Sequence, residues 1–318
     1  MKKFYLKGPI HVPEKREALL AITIAAMIWG ANAPISKWTL QFISVETLAF
    51  IRFYFAFIIF YLIFKPNLKI AKKDIPLMFL CGFIGISIHI PLLYIGLTLT
   101  GAINAAIIAS SVPILTLFFS RFFLKEKISK KFIIGGLLGL FGVIFIILEP
   151  LFEEGLSNNL VGNLLLLGAV ISFIIYEIIS KKLTKRNYHA TTITTYSYLI
   201  GFISFLPFYL MDITKNGIYF LNSQTFIGIF YILFFSSLTA IPLWQWGISK
   251  LEISRVGFFL YLDPVVAFTV AFFLLGEIVT LHMLIGTLFI FIGLYIAENT
   301  LHFPHFHLYH AHMKKRIG

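Results

Sequence analysis

One cysteine in 318 residues, Cys81 inside an apolar run, excludes a disulfide framework and any cysteine-based metal site. Charge is scarce too: 13% of the residues are Asp, Glu, Lys or Arg, against about 25% in soluble domains. No GxxxxGK[ST] loop is present to cradle nucleotide phosphates, so ATP-driven pumping would need a separate subunit. Neither HExxH nor a GxSxG elbow occurs, which argues against a membrane-embedded enzyme. No ring of charges or carbonyl-rich filter suggests a channel. What is abundant is apolar surface, with 59% hydrophobic residues, 36 Phe and a mean hydropathy of +0.91. A soluble fold is excluded on composition alone. The net charge of +12 does not indicate nucleic acid, because the basic residues fall in short clusters between apolar runs instead of on one face with stacking partners. The partners expected are a lipid bilayer and a small-molecule substrate, with no cofactor and no nucleic acid; oligomeric state is not legible.

A hydrocarbon core about 30 Å thick takes roughly 20 helical residues to cross. Ten windows of that size fall at about 18–37, 47–64, 75–97, 102–122, 132–149, 160–180, 191–210, 225–249, 254–275 and 281–299. The fold class expected is therefore an all-α polytopic membrane protein with ten transmembrane helices. Residues 1–17 read as a cytoplasmic N-terminal tail and 300–318 as a His-rich basic cytoplasmic tail. Lys2, Lys3, Lys7, Lys15 and Arg16 precede a first apolar run that passes through Ala31-Asn32-Ala33, a passable signal-peptidase pattern. Pro34 in the first mature position argues against cleavage, and the run reads as a retained first helix. Cytoplasmic loops retain Lys and Arg. With the N-terminus inside, the inner segments hold 22 of the 26. Both termini are expected in the cytoplasm of a prokaryote, with the chain in its inner membrane.

Displacing the sequence by 151 residues superimposes Pro91 on Pro242, Gly96 on Gly247, Pro113 on Pro264, Glu126 on Glu277, Gly135 on Gly286 and Gly142 on Gly293. Apolar sequences match one another cheaply, but prolines, glycines and a glutamate at one fixed displacement do not. The chain divides into a first five-helix half, 18–149, an extracytoplasmic linker, 150–159, and a second half, 160–299. An odd number of spans per half makes the second enter from the opposite side, an inverted repeat of the kind that builds secondary transporters around a mid-depth site. The helices interrupted at corresponding prolines, the third with the eighth and the fourth with the ninth, point to that site.

Several stretches resemble the drug/metabolite transporter superfamily, in its ten-helix branch with two EamA-type halves. They are MIWGANAPISK in the first helix, TLAFIRFYFA in the second, YIGLTLTGAINAAIIASSVPILTLFFSRFFLKEKI, and LWQWGISKLEISRVGFFLYLDPVVAFTVAFFLLGEIVTLHMLIGTLFIFIGLY. The sixth helix departs from the usual pattern in having Ser172 and Phe173 where a Trp is common and in adding Glu177. The resemblance implies a central cavity lined mainly by helices 1, 3, 4, 6, 8 and 9. It also implies export or exchange of amino acids or similar metabolites, by alternating access and with proton exchange as one way of driving it. A lipid or lipid-linked sugar flippase of the same fold is the alternative.

Asp263 lies about nine residues into the ninth helix, where a charge is costly without a partner or water. It reads as a substrate-binding and proton-coupling residue, against the alternative of a carboxyl patching the break at Pro264. His89, two residues before Pro91, reads equally as a proton-linked ligand contact or a patch for freed carbonyls. Glu177 precedes Lys181 by four residues, so an intrahelical ion pair near the cytoplasmic surface stands beside a proton-coupling role. Arg52 lies within reach of the outer interface, and snorkelling or a structural ion pair is expected of it before contact with a ligand. Tyr94 and Gln245 are repeat-related, three residues past their prolines; Ser110 and Tyr261 are related in the same way, three residues before theirs. These four, with Asn32 and Tyr176, are candidate substrate contacts or interhelical hydrogen bonds. Of Trp244 and Trp246, one is expected to cap the cavity and the other to face lipid. Glu126 and Glu277 end equivalent helices and are expected to fix loops. The tail histidines, His302, His305, His307, His310 and His312, read as a disordered or surface tail, and no metal site is expected.

Overall fold

Apolar runs of this length leave the backbone no water to bond to, and helices satisfy it internally. The computed structural model describes residues 12–126, 129–147, 159–217, 219, 222–276 and 280–298, and these contain helices and no strand. The helices group into ten units. α1 is Val12–Thr39, α2 Val45–Phe64 and α3 Lys72–Leu99. α4 is broken into Ala102–Ala109 and Val112–Leu124, and α5 is Lys130–Ile147. α6 is Asn159–Lys185, α7 Ala190–Asn216, α8 Ser223–Lys250, α9 Ile253–Leu275 and α10 Leu281–Glu298. Among the described residues seven, namely α1, α2, α3, α6, α7, α8 and α9, contain a stretch long and apolar enough to cross a membrane. α4 falls short because it is broken, and α5 and α10 present 18 residues each. The Glu277 side of the expected repeat and the His-rich tail lie outside the described residues.

All four prolines of the repeat sit just beyond a change in helical winding. α3 widens to a π segment over Phe83–Ile88, ahead of Pro91, and α8 does so over Tyr231–Ala240, ahead of Pro242. α4 breaks at Ser110 and Ser111, ahead of Pro113, and α9 tightens to a 3-10 turn over Phe259–Leu262, ahead of Pro264. The cause is common to all: proline lacks an N–H and its ring collides with the carbonyl four residues back. The backbone groups of α8 that the break affects find other partners. Tyr198 Oη donates to the Ser237 carbonyl, Trp29 Nε1 donates to the Ser236 carbonyl at 3.4 Å, and the Ser237 hydroxyl donates to Ile232 at 3.0 Å.

Several contacts of one half recur between the corresponding helices of the other. α1 lies against α8 and α9, as α6 lies against α3 and α4; α2 pairs with α7 and α5 with α10. α2 and α7 run antiparallel. At one end Asp212 of α7 accepts from Ser44 Oγ and, at 2.6 Å, from Thr47 Oγ1 at the start of α2. Further along, Phe53 meets Phe205, and Phe60 meets Tyr198 near the start of α7. α5 and α10 are antiparallel too, since a Cβ at Gly142 would strike the carbonyl of Gly286 and one at Gly293 that of Gly135. Glycine is required there because backbone meets backbone.

The outside of the bundle is apolar: Phe122 and Phe273, equivalent in the repeat, are 79% and 80% exposed. Exposed apolar side chains in this number suit hydrocarbon surroundings and not water. At one rim Arg186 pairs with Asp74, whose other oxygen accepts from Tyr188 Oη at 2.9 Å, joining the start of α3 to the α6–α7 turn. Glu126, beyond the end of α4, accepts from the Ile253 and Ser254 N–H groups at 3.2 and 3.1 Å, so a neighbouring chain segment caps α9. Glu126→Ala leaves those amides unpaired. The expected outcome is a loss of about 0.5–2 kcal/mol, as for other lost caps, seen as a lower thermal midpoint and faster hydrogen exchange at Ile253 and Ser254.

Candidate functional site

A cavity of about 140 Å³ opens between the halves, walled by α1, α2, α3, α4, α6, α8 and α9. Most of its surface is apolar, from Leu93, Ala105, Val112, Leu166 and Leu260 among others. Trp29, Phe173 and Trp244 form an aromatic cluster on one side, with Trp29 to Trp244 4.9 Å between ring centroids and Trp29 edge-on to Phe173 at 5.6 Å. Its polar groups are few: Asn32, Arg52, His89, Tyr176, Ser236, Gln245 and Asp263. A mostly apolar hollow with a small number of convergent polar groups is the usual form of a small-molecule site.

Asp263 opens the helical stretch Asp263–Leu275, directly after the 3-10 turn. It is 9% exposed, and its Oδ1 has no hydrogen-bond partner. Gly30 of α1 brings α9 this close: a Cβ there would lie 2.9 Å from the Asp263 carbonyl and 2.7 Å from Val266 Cβ. Two residues further along α1, Asn32 is 8% exposed and its Oδ1 is likewise without a partner. Two buried oxygens of this kind on one cavity are acceptors with nothing yet to accept, which native proteins rarely leave unexplained.

His89 sits where α3 leaves its π segment, with Nδ1 2.8 Å from the carbonyl of Ala169 in α6. A carbonyl only accepts, so Nδ1 carries the proton in this contact. In the neutral ring Nε2 then remains as an acceptor. Gln245 bridges α8 and α6, donating through Nε2 to Tyr176 Oη and accepting from Ser180 Oγ. Trp244 Nε1 donates to Glu177 Oε1 at 2.8 Å, while Oε2 of this fully buried glutamate has no partner.

The expected pair of Glu177 with Lys181 does not form. Lys181 Nζ instead donates to the Ile248 and Leu251 carbonyls, both at 2.6 Å, at the end of α8, where a cation suits the unpaired helix carbonyls. Glu177→Gln keeps an acceptor for the Trp244 indole, so thermal unfolding should change little. Glu177→Leu strands that N–H, and a loss of about 1–3 kcal/mol is expected. Equal midpoints for the two variants would contradict this geometry.

Of the residues singled out from sequence, Asp263, Asn32, His89, Tyr176, Gln245 and Trp244 line this same cavity. Tyr94 stands behind the wall, fully buried, with its hydroxyl accepting from Arg52 Nη1 at 2.9 Å. Ser110 and Tyr261 are elsewhere. The Ser110 hydroxyl donates to Ala106 in its own helix, and Tyr261 packs with Phe258 and over Gly139 of α5. Both fall in the local changes of winding, which turn them off the face that simple helical spacing assigns. Trp246 is partly exposed, in contrast to buried Trp244. Arg52, expected at the interface, is 3% exposed and reaches the cavity wall.

The EamA-like transporter family model matches this chain twice, over residues 16–148 and 160–298. The chain belongs to that family. An uncharacterized transporter of Archaeoglobus fulgidus is 30% identical over 285 residues, 89% of this chain and 98% of its own length. A probable amino-acid metabolite efflux pump of Escherichia coli K12 is 26% identical over 298 residues, 89% of this chain and 94% of its own. A solved crystal structure is similar at a TM-score of 0.69 and 16% identity, covering 90% of this chain and 97% of that one, which shows the fold. Membership makes the protein a multi-pass membrane transporter, and the family's two matches fall on α1–α5 and α6–α10.

Proposed function

We propose that this EamA-like transporter is a secondary carrier that exports or exchanges an amino acid or a related small metabolite by alternating access. The observation that carries the reading is the cavity between the halves, enclosed by helices of both, with the unpartnered carboxylate oxygen of Asp263 on its wall. A volume of about 140 Å³ is close to the roughly 150 Å³ that admits a benzene ring in an engineered cavity, so a small metabolite and not a polymer suits it. The name of the Escherichia coli relative supports amino-acid metabolites as the class.

Ten membrane-spanning helices in two inverted halves, with both termini cytoplasmic in a prokaryotic inner membrane, complete the reading. The antiparallel pairs α2 with α7 and α5 with α10 support the inversion, because each pair joins equivalent members of the repeat. Bacterial and archaeal relatives support the membrane. In this mechanism Asp263, Asn32, His89, Tyr176, Gln245 and Trp244 contact the substrate, and Asp263, Glu177 and His89 are the groups able to exchange protons. Purified protein in liposomes, loaded with a metabolite panel and assayed for counterflow at several pH values, tests it. Saturable exchange of one small metabolite is expected, and its absence across the panel overturns the carrier reading; scrambling of labelled lipid without it points to the flippase.

A further inference from the structure

A guanidinium is always protonated in proteins and offers five N–H donors. Arg52 places one at the cavity wall, 3% exposed. Nε donates to Ser237 Oγ at 2.7 Å, Nη1 to Tyr94 Oη at 2.9 Å and Nη2 to Ser236 Oγ at 3.2 Å. The Phe53 ring lies 5.0 Å from its central carbon. Every one of these partners is neutral. Among the described residues no carboxylate pairs with Arg52, although the buried Asp263 lines the same cavity. Three N–H groups are engaged, which leaves two, one on each terminal nitrogen.

A purely structural brace across α2, α3 and α8 has no use for the charge, since a neutral amide would serve hydroxyls as well. Burying a cation without a counter-charge is costly in a membrane, and such residues face interiors or cavities where a charge arrives. The three hydroxyls fix the planar fork, and a held fork with free N–H groups is suited to a carboxylate. We infer that Arg52 is the carboxylate-binding subsite of this cavity, holding the acid group of the transported metabolite, while Asp263 and Asn32 accept from its amino group. The apolar part then lies among Trp29, Phe173 and Leu93. This rests on the carrier reading for what becomes of the bound molecule, but the binding itself does not depend on transport.

The test uses the full chain, purified in detergent, and reads its tryptophan fluorescence, to which the cavity-wall residues Trp29 and Trp244 contribute two of the four indoles. The probes are a series of amino acids and the matching carboxamides, in which a neutral CONH2 replaces the carboxylate. At least one amino acid is expected to bind, with its amide weaker by about tenfold or more, the value of a lost charged hydrogen bond. Arg52→Gln is expected to bring acid and amide to the same weak level, and Arg52→Lys to restore part of the preference. An amide that binds as tightly as its acid overturns the inference, as does an unchanged preference in Arg52→Gln or no binding by any acid in the series. The wild-type comparison stands even where a variant does not fold. Vesicle counterflow separates the two readings: equal transport of acid and amide removes Arg52's role and keeps the carrier, whereas acid-selective binding without counterflow keeps the subsite and removes the carrier.

Discussion

Asp263→Asn is expected to cut metabolite flux in reconstituted vesicles by at least about tenfold, a loss of 1.4 kcal/mol or more of stabilisation, and to flatten what pH dependence remains. The side chain keeps its size, and an amide oxygen still lies where Oδ1 now stands without a partner. What is lost is the ability to carry negative charge against an ammonium group and to take up or release a proton. Folding should survive, because no hydrogen bond to this carboxylate is needed to hold α9; Gly30 and Val266 set the approach of α1 sterically. A variant with normal flux and a normal pH profile would remove Asp263 from the mechanism. A variant with normal pH dependence but weak substrate affinity would restrict it to binding.

The second large effect is on stability. Gly142→Val is expected to lower the thermal midpoint sharply in detergent, or to prevent isolation of folded monodisperse protein. Its Cβ would collide with the Gly286 carbonyl and also approach Phe289 Cβ at 3.0 Å and Ile290 Cγ1 at 3.1 Å. A carbonyl fixed in a helix has nowhere to go, so α5 and α10 must separate. Overpacking of this kind costs typically about 1–3 kcal/mol and more where backbone is struck. Small residues that let two backbones touch are a general device for joining helices in lipid. Gly168→Ala is the control: its Cβ would meet only the tip of Leu92 at 3.3 Å, a flexible neighbour, and near-normal stability is expected. Two equal midpoints would show that the α5–α10 crossing is looser than its geometry.

Helix positions were legible because hydrocarbon thickness sets them. Each window read from hydropathy overlaps helix among the described residues, seven of them in a stretch long and apolar enough to cross a membrane, and the prolines mark where winding changes. Depth along a helix is easy to count, but direction around it is not. Arg52 illustrates the gap: its place towards the outer end of α2 suggested a side chain reaching the interface, whereas α2 turns that position inward against Ser236 and Ser237. Only the packing of α2 against α7 and α8 decides this. Glu177 and Lys181 have the spacing of an ion pair, yet the C-terminal end of α8 offers Lys181 two carbonyls, and Trp244 offers Glu177 an indole. Those competitors are 67 or more residues away in sequence. Ser110 and Tyr261 failed for a third reason, since helical spacing was applied across a break and a 3-10 turn, where it does not hold.

A π segment stores slack in its coil. If the stretch Tyr231–Ala240 rewound to ordinary α geometry, every side chain beyond it would be displaced by one position, about 100° around the axis at 3.6 residues per turn. Trp244 and Gln245 would swing off the chamber together, and the indole and amide that now reach Glu177 and Tyr176 would let go at once. The same holds for His89 beyond Phe83–Ile88. In each half, then, a change of winding within one π segment would turn a wall of the chamber about the axis of the helix that bears it.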